Sequence, residues 1–292
     1  MTKVLITGAN GHLGQRLIEA LAGSVDVRAA VRSARAAEQL SRFDGIEVVE
    51  VSYTDAASMT QAVTGVDAVV HLVGILKEGG GNTYEQAHEQ SCATLVAALH
   101  DLRDTVRVAY VSIVGSSVDS GNACLRSKGA AEEVLLRAIP NTTVLQVPMV
   151  LGENDYASRS LSGKARSALS FGFRMASLEQ PIYAGDVVEA LRASLTERFG
   201  RLQLAGPEAL SRRALVQRAA AVLGRETRVV SLPMGIGMAL AGLLERVSTN
   251  PPVTRAILGV LDHDDEVDAD PAARSLGLEL TALDVMLERV LS

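Results

Sequence analysis

The chain of 292 residues has no tryptophan, and aromatic residues of every kind make up only 3% of it. A carbohydrate-stacking surface is therefore not expected. Helices packed closely against a Val/Leu/Ile sheet are. Two cysteines exclude a disulfide framework and suit a reducing compartment. Lys plus Arg number 28 against 34 Asp plus Glu, a formal charge of −6, so no broad basic surface is offered and nucleic acid is not an expected partner. No uninterrupted apolar run reaches the roughly 20 residues that cross a bilayer. No charged leader with an apolar core precedes the first strand-like run, and a soluble, cytoplasmic protein is expected.

What the chain does have stands near its start. Val4-Leu5-Ile6 reads as a short buried strand, followed by Thr7-Gly8-Ala9-Asn10-Gly11-His12-Leu13-Gly14 and the helical pattern Leu13, Leu17, Ile18, Leu21. In this G-x-x-G-x-x-G turn Gly8 takes backbone angles that turn the chain. Gly11 removes a Cβ from the path of a diphosphate, and Gly14 lets the helix approach the sheet. The free N–H groups of the helix start face the phosphates. Thr7, Gly8, Asn10, Gly11, His12, Leu13 and Gly14 are the expected cofactor-binding residues here, although a surface role fits His12 as well.

Short Val/Ile/Leu runs then alternate with helical patterns. Strands are expected at 3–7, 25–31, 46–51, 67–73, 106–112 and 143–147, and helices at 12–22, 34–42, 56–63, 84–100 and 124–138. That rhythm predicts an α/β protein with a doubly wound parallel sheet of the Rossmann type, its ligands at the carboxyl ends of the strands. Residues 1–150 form the expected dinucleotide-binding core. Residues 151–292 form a substrate-side region with a small, mostly helical cap, interleaved with the core through strand segments near 178–206. Within it, 152–175 reads as a flexible segment, and helices are expected at 211–223, 235–247, 251–262 and 281–291. The 235–247 stretch is unusually apolar. Core or oligomer packing, a lid over a greasy ligand and a membrane-surface contact all fit it, but it lacks the basic stripe of the last.

The second strand ends Val31-Arg32-Ser33. An acidic residue there accepts from adenosine ribose hydroxyls, whereas an arginine favours a 2′-phosphate, so Arg32 points to NADP (NADPH) rather than NAD. An ordinary surface cation is the alternative. Asp55 either accepts from the adenine amino group or caps the next helix. After the fourth strand, Leu72 and Val73 are expected to wall the nicotinamide ribose and Gly74 to pass close beneath it. His71 reads as packed, Cys92 as core, and Asp186 as a helix cap. His88 is either a ribose-side polar residue or an interior histidine with a backbone partner.

The turn from Thr7 to Gly14, Val31-Arg32, Val70 to Leu76, Leu125-Arg126-Ser127-Lys128 to Glu132, Pro181-Ile182-Tyr183 to Asp186, and Val253 to Leu278 together carry a resemblance. The chain resembles the extended and atypical branch of the short-chain dehydrogenase/reductase superfamily, and within it proteins related to the 39 kDa accessory subunit of respiratory complex I. The resemblance implies a Tyr-x-x-x-Lys pair on the helix after strand five, with the Lys holding the nicotinamide ribose and the Tyr exchanging a proton with substrate. Here those positions are Cys124 and Lys128, so the tyrosine is missing. It also implies a serine past strand five, for which Ser112 stands first and Ser116 second. Lys128, Ser112 and Cys124 are the candidate catalytic residues. A thiol beside a lysine is able to ionise, and a packed helix residue is the alternative. The functions implied are an NADP-dependent oxidoreductase passing hydride to a hydrophobic carbonyl, enone or quinone-like substrate, or a non-catalytic NADPH-binding structural or regulatory protein. A homo-oligomer or protein partner is open, and no metal is implied.

Overall fold

A computed structural model describes residues 2–247, 254–260 and 264–292. Its central sheet is built from β1 (Lys3–Thr7), β2 (Asp26–Val31), β3 (Glu47–Glu50), β4 (Ala68–His71), β5 (Arg107–Ile113) and β6 (Thr142–Val147), with Gly200–Gln203 as a seventh strand. The spatial order is Gly200–Gln203, β6, β5, β4, β1, β2, β3. From β5 to β3 every pairing is parallel. The chain runs outward one way through β2 and β3 and the other way through β4 and β5, which leaves a crevice at the carboxyl end of β1. Thr7 stands opposite both Ala30 and His71, so β1, β2 and β4 end nearly level there.

Between the strands lie α1 (His12–Leu21), α2 (Ala34–Glu38), α3 (Ala56–Val63), α4 (Ser91–Ala98) and α5 (Ala123–Ala138). α3, α4 and α5 bury apolar faces against Leu5, Val69, Val108, Tyr110 and Val144 in one core, whereas α1 buries Leu17, Ile18 and Leu21 outside that cluster and α2 buries no residue. The alternating strand and helix pattern is therefore realised as expected. Its deviations have local causes. α2 ends four residues before the expected boundary because Ser41 Oγ donates to Glu38 O and Leu40 N–H to Ala37 O, closing a turn. β4 stops at His71 instead of 73, since Leu72 leaves the sheet to pass over Gly8. The single helix expected over 84–100 starts as a π-helical stretch, Glu85–Gln90, before α4, with a short 3-10 turn at its end. Such bulges gather at functional sites.

Contacts divide the chain into two compact units, one formed by residues up to Gln146 with Val187–Leu202, the other by Val147–Asp186 with the residues from Gln203 onward. The second unit has its own core of Leu161, Met175, Leu215, Met286 and Leu287 among others. Here 152–175 is not a flexible segment. Asp155 Oδ1 accepts from Ser158 N–H at 2.7 Å and caps the helix Tyr156–Arg166, whose Leu161 and Ala165 are buried. Leu169–Phe173 then pairs in parallel with Arg228–Leu232, two strands the glycine and arginine content concealed. Asp186 is no cap either. It lies inside the helix Ala184–Ala193, and its carboxylate accepts from the backbone N–H and hydroxyl of Thr281 at 2.8 and 2.7 Å.

The helix Met234–Val247 buries only Gly237 and Ala241. Ile236, Leu240, Leu243 and Val247, spaced by four, three and four residues, are all exposed, so core packing does not account for that face. Of the helix expected at 251–262, Arg255–Val260 is helical. Residues 251–253 and 261–263 lie outside the described residues, and Val253 of the family-like stretch with them. Among the described residues no helix is long and apolar enough to cross a membrane.

Candidate functional site

The turn after β1 does what its glycines predict. Gly8 has φ +67°, and a Cβ on it would meet the backbone of Leu72 at 3.1 Å. Gly11 donates its N–H to Gly8 O at 2.9 Å. A Cβ on Gly14 would lie 2.6 Å from Ala9 O, so the close approach of α1 needs glycine. No side chain caps α1, and its first-turn N–H groups point out of the helix start. An anion at that end meets oriented dipoles.

A cleft of about 490 Å³ opens beside this turn. Gly8, Asn10, Gly11, Arg32, Leu72, Val73 and Gly74 line it, together with Glu50 to Thr54, Ile75, Asn82, Gln86 and Ala87. Thr7, His12, Leu13, Gly14, Asp55, His88, Ser112, Cys124 and Lys128 are not in its lining. Thr7 is buried, its hydroxyl 2.8 Å from His71 Nδ1. His12 is exposed and Leu13 half-buried on α1. Asp55 caps α3, accepting from Ser58 N–H at 2.7 Å, which is one of the two roles open to it. Arg32 donates to Asn82 Oδ1 at 2.7 Å. The rim also carries a carboxylate, Glu50, at the end of β3.

Sequence reasoning passed over Tyr53. Its hydroxyl accepts from Gly8 N–H at 2.9 Å and donates to Ala30 O at 2.8 Å, tying the glycine turn to β2. Burial pushes its pKa to about 12, so the phenol stays neutral. The only signal was a tyrosine in an otherwise small, polar stretch after a strand, where a buried hydroxyl needs partners.

Behind the cleft, at the β4–β5 side, titratable groups are packed away from water. Lys128 on α5 is buried and donates to Val111 O at 2.9 Å, with its ammonium 4.4 Å from the centre of the Tyr110 ring. A Cβ on Gly74 would come within 3.0 Å of Lys128 Nζ and 3.5 Å of His88 Nε2. Gly74 is thus the thin wall between the cleft and both bases. Desolvation lowers the Lys128 pKa to about 8, against smaller opposing pulls from Cys92, Cys124 and Glu132. His88, on the π-helical stretch, faces the backbone N–H and C=O of Ile75 at 3.1 Å each through Nε2. Its Nδ1 is buried with no hydrogen-bond partner among the described residues. Burial, then the Lys128 charge, drops its pKa to about 3, so the ring is neutral.

Of the two roles open to Cys124, an ionised thiol and a packed helix residue, its surroundings favour the second. The thiol is fully buried, donates to Ile75 O at 3.7 Å, and burial pushes its pKa up to about 11 despite Lys128. It is a neutral packing residue in this environment. Cys92 is core as expected, with its pKa raised to about 12 by burial. Ser112 is buried and donates to Ser116 Oγ at 3.3 Å. Next to it Glu132, buried on α5, is held by Gln146 and Arg201, and desolvation raises its pKa. His71 is packed between Thr7 and Ser91. Among the described residues no cluster of ligating side chains could hold a metal ion.

A glycine cradle at the head of a parallel sheet, a helix start open to anions, and a lysine behind the β4–β5 wall define a dinucleotide-binding α/β protein. The chain belongs to the NAD(P)H-binding family, whose model matches residues 8–163. It is 26% identical over 250 residues to NADH dehydrogenase [ubiquinone] 1 alpha subcomplex subunit 9, mitochondrial, of Arabidopsis thaliana, covering 81% of this chain but only 61% of that protein. It is 28% identical over 258 residues to (4-alkanoyl-5-oxo-2,5-dihydrofuran-3-yl)methyl phosphate reductase of Streptomyces griseus, covering 87% and 84% of the two chains. Among solved structures, the NADPH-dependent quinone oxidoreductase QOR2 of Escherichia coli, complexed with NADPH, matches with a TM-score of 0.73 at 20% identity, covering 97% of this chain and 98% of that one. The resemblance to the complex I subunit is borne out, as is the fold class.

Proposed function

We propose that this protein is an NADP(H)-dependent reductase of a hydrophobic carbonyl, enone or quinone-like substrate. The observation that carries the reading is the buried Lys128 ammonium, held against the thin wall of Gly74 with a pKa lowered to about 8. When bound, the dinucleotide supplies a hydride. Every other part of the reaction falls to the chain. Gly8, Gly11 and the start of α1 bind the pyrophosphate, and Leu72, Val73 and Gly74 keep water from the nicotinamide side. Lys128 reaches the cleft past Gly74, which carries no side chain to bar it, leaves Val111 O to bind the ribose and, as an ammonium with a weakened grip on its proton, supplies the proton for the substrate oxygen. With Cys124 neutral and no tyrosine four residues before Lys128, the lysine is the group best suited to that task. The reductase named for the Streptomyces relative, whose substrate contains an unsaturated oxo ring, supports the substrate class.

Arg32 supports NADP(H) over NAD(H), because a guanidinium on the rim favours a 2′-phosphate. Glu50 on the same rim opposes that phosphate, so the ratio of NADPH to NADH affinity reports which charge prevails. NADPH oxidation followed over quinones, enals and ketones tests the activity. Turnover with at least one class, declining as pH rises through about 8, is expected, because Lys128 then loses its proton. Flat pH dependence across that range contradicts the role of the lysine.

One observation favours a second reading, a non-catalytic NADPH-binding subunit: Cys124 stands where the family places its proton-exchanging tyrosine. The Arabidopsis relative, named as a subunit of NADH dehydrogenase, fits that reading. The exposed stripe Ile236, Leu240, Leu243 and Val247 would then serve a protein partner. Saturable NADPH binding without turnover on the whole panel would decide for it.

A further inference from the structure

The second unit carries an apolar layer that its own core leaves uncovered. Leu169–Phe173 and Arg228–Leu232 form a parallel ribbon, with Arg228 opposite Leu169, Val230 opposite Phe171 and Leu232 opposite Phe173. Residues paired in this way share one face, and those between them point to the other. The inward face buries Ser170 and Val229, the latter in the core with Leu161 and Leu215. The outward face is left with Leu169, Phe171, Phe173, Val230 and Leu232, and with Arg228 at its edge. Leu169 is exposed and so is Phe171, at 53%. Past Pro233 the ribbon runs straight into the helix Met234–Val247, and a Cβ on Gly237 would come within 2.7 Å of the Phe173 ring. The outward face of the ribbon and the exposed stripe Ile236, Leu240, Leu243 and Val247 therefore adjoin.

The helix alone lacks a basic stripe, but the fold brings arginines to the patch. Arg228 stands beside Leu169 on the ribbon, and Arg246 precedes Val247 at the end of the helix. Both are exposed, and neither has a hydrogen bond or ion pair among the described residues. Arg225, in the turn before the ribbon, makes only a 3.4 Å bond to Arg166 O, and Glu226 beside it offsets its charge. Glu245 on the helix is held by Arg255 at 2.8 Å. In a chain of net charge −6, the apolar patch is thus edged by free cations.

We infer that this patch docks the protein on the surface of a lipid bilayer that carries anionic headgroups. Phe171 and the aliphatic stripe enter the boundary between headgroups and acyl chains. The arginine stems lie along the apolar surface while their guanidiniums meet headgroup phosphates. Binding of this kind grows with buried apolar area and with attraction to anionic lipid together. The contact is peripheral, since no helix among the described residues is long and apolar enough to cross the membrane. A second copy suits the patch less well. In a two-fold pair the patch meets itself, and Arg228 and Arg246 would face cations with no free carboxylate to answer them.

Sedimentation of the full chain with vesicles of phosphatidylcholine, and of phosphatidylcholine mixed with phosphatidylglycerol, tests it. Saturable binding to the mixed vesicles, much weaker binding to the neutral ones and release by high salt are expected. Leu240→Ser/Leu243→Ser should weaken binding roughly 10-fold or more. Arg228→Gln/Arg246→Gln should weaken binding to the mixed vesicles roughly 5-fold for each arginine and leave binding to neutral vesicles unchanged. All four side chains are exposed, so thermal unfolding should stay at the wild-type midpoint; if the leucine pair unfolds early, Phe171→Ser/Ile236→Ser reads the same two elements. Wild-type protein that stays in solution beside anionic vesicles, or binding that neither double variant weakens, overturns the inference. So does a salt-resistant dimer that Leu240→Ser/Leu243→Ser dissociates, because a second copy then covers the patch. The patch shares no residue with the cleft, so each of these failures leaves the dinucleotide reading standing.

Discussion

The two ends of the crevice are built on opposite principles. At the β2–β3 end the working groups are backbone amides, an exposed arginine and its neutral partner, all in contact with the cleft. At the β4–β5 end they are side chains withdrawn from water, with Lys128, His88, Cys124, Cys92 and Tyr110 packed together and their proton affinities moved by burial. Under the proposed function the first end recognises charge by geometry and the second holds a proton for the chemistry, so a change at one end should leave the other largely intact.

The largest test of that separation is Lys128→Met, which keeps the bulk of the side chain and removes the proton. Turnover should fall by about 10²-fold or more. NADPH affinity should fall far less, because the glycine turn and Arg32 hold the other half of the ligand. Parallel loss of both would merge the two ends. Next in size is Gly14→Ala. Its Cβ falls 2.6 Å from Ala9 O, and overpacking of this kind costs about 1–3 kcal/mol. Thermal unfolding should show that loss together with weaker dinucleotide binding, because α1 can no longer sit where its N–H groups meet phosphate.

Tyr53→Phe probes the same end more gently. It strips a partner from both Gly8 N–H and Ala30 O, which should destabilise the protein by roughly 1–3 kcal/mol. NADPH affinity should weaken with the turn, while the pH dependence of turnover stays as in the wild type. Smallest is Cys124→Ala. A neutral buried thiol that only packs should be replaceable at a cost of about 1 kcal/mol in stability, with turnover within a few-fold of wild type. A collapse of activity would restore the thiol as a reactive group.

The same contrast explains what the residues revealed in advance. The glycine turn, the order of strands and helices, and Arg32 were legible because backbone constraint and strand ends are written in local spacing. Lys128 was legible as a position on α5, one turn from Cys124. Its lowered pKa, the silence of Cys124 and the wall formed by Gly74 were not, since each depends on burial by other strands and helices that local spacing does not reveal. Tyr53 and Asn82 escaped notice for a similar reason. Their partners, Gly8 with Ala30 and Arg32, come from other strands. In the second unit the helix Tyr156–Arg166 was missed because its polar residues hid the spacing of Leu161 and Ala165, and only the Asp155 cap marked its start.

The most direct test of the account is the pH profile of NADPH-driven reduction set beside the pH profile of NADPH binding. With Lys128 as proton source, reduction should fall about tenfold per pH unit above a midpoint near 8, while binding declines much less over the same range. Reduction that keeps its rate to pH 10, or that disappears only as binding disappears, would contradict it.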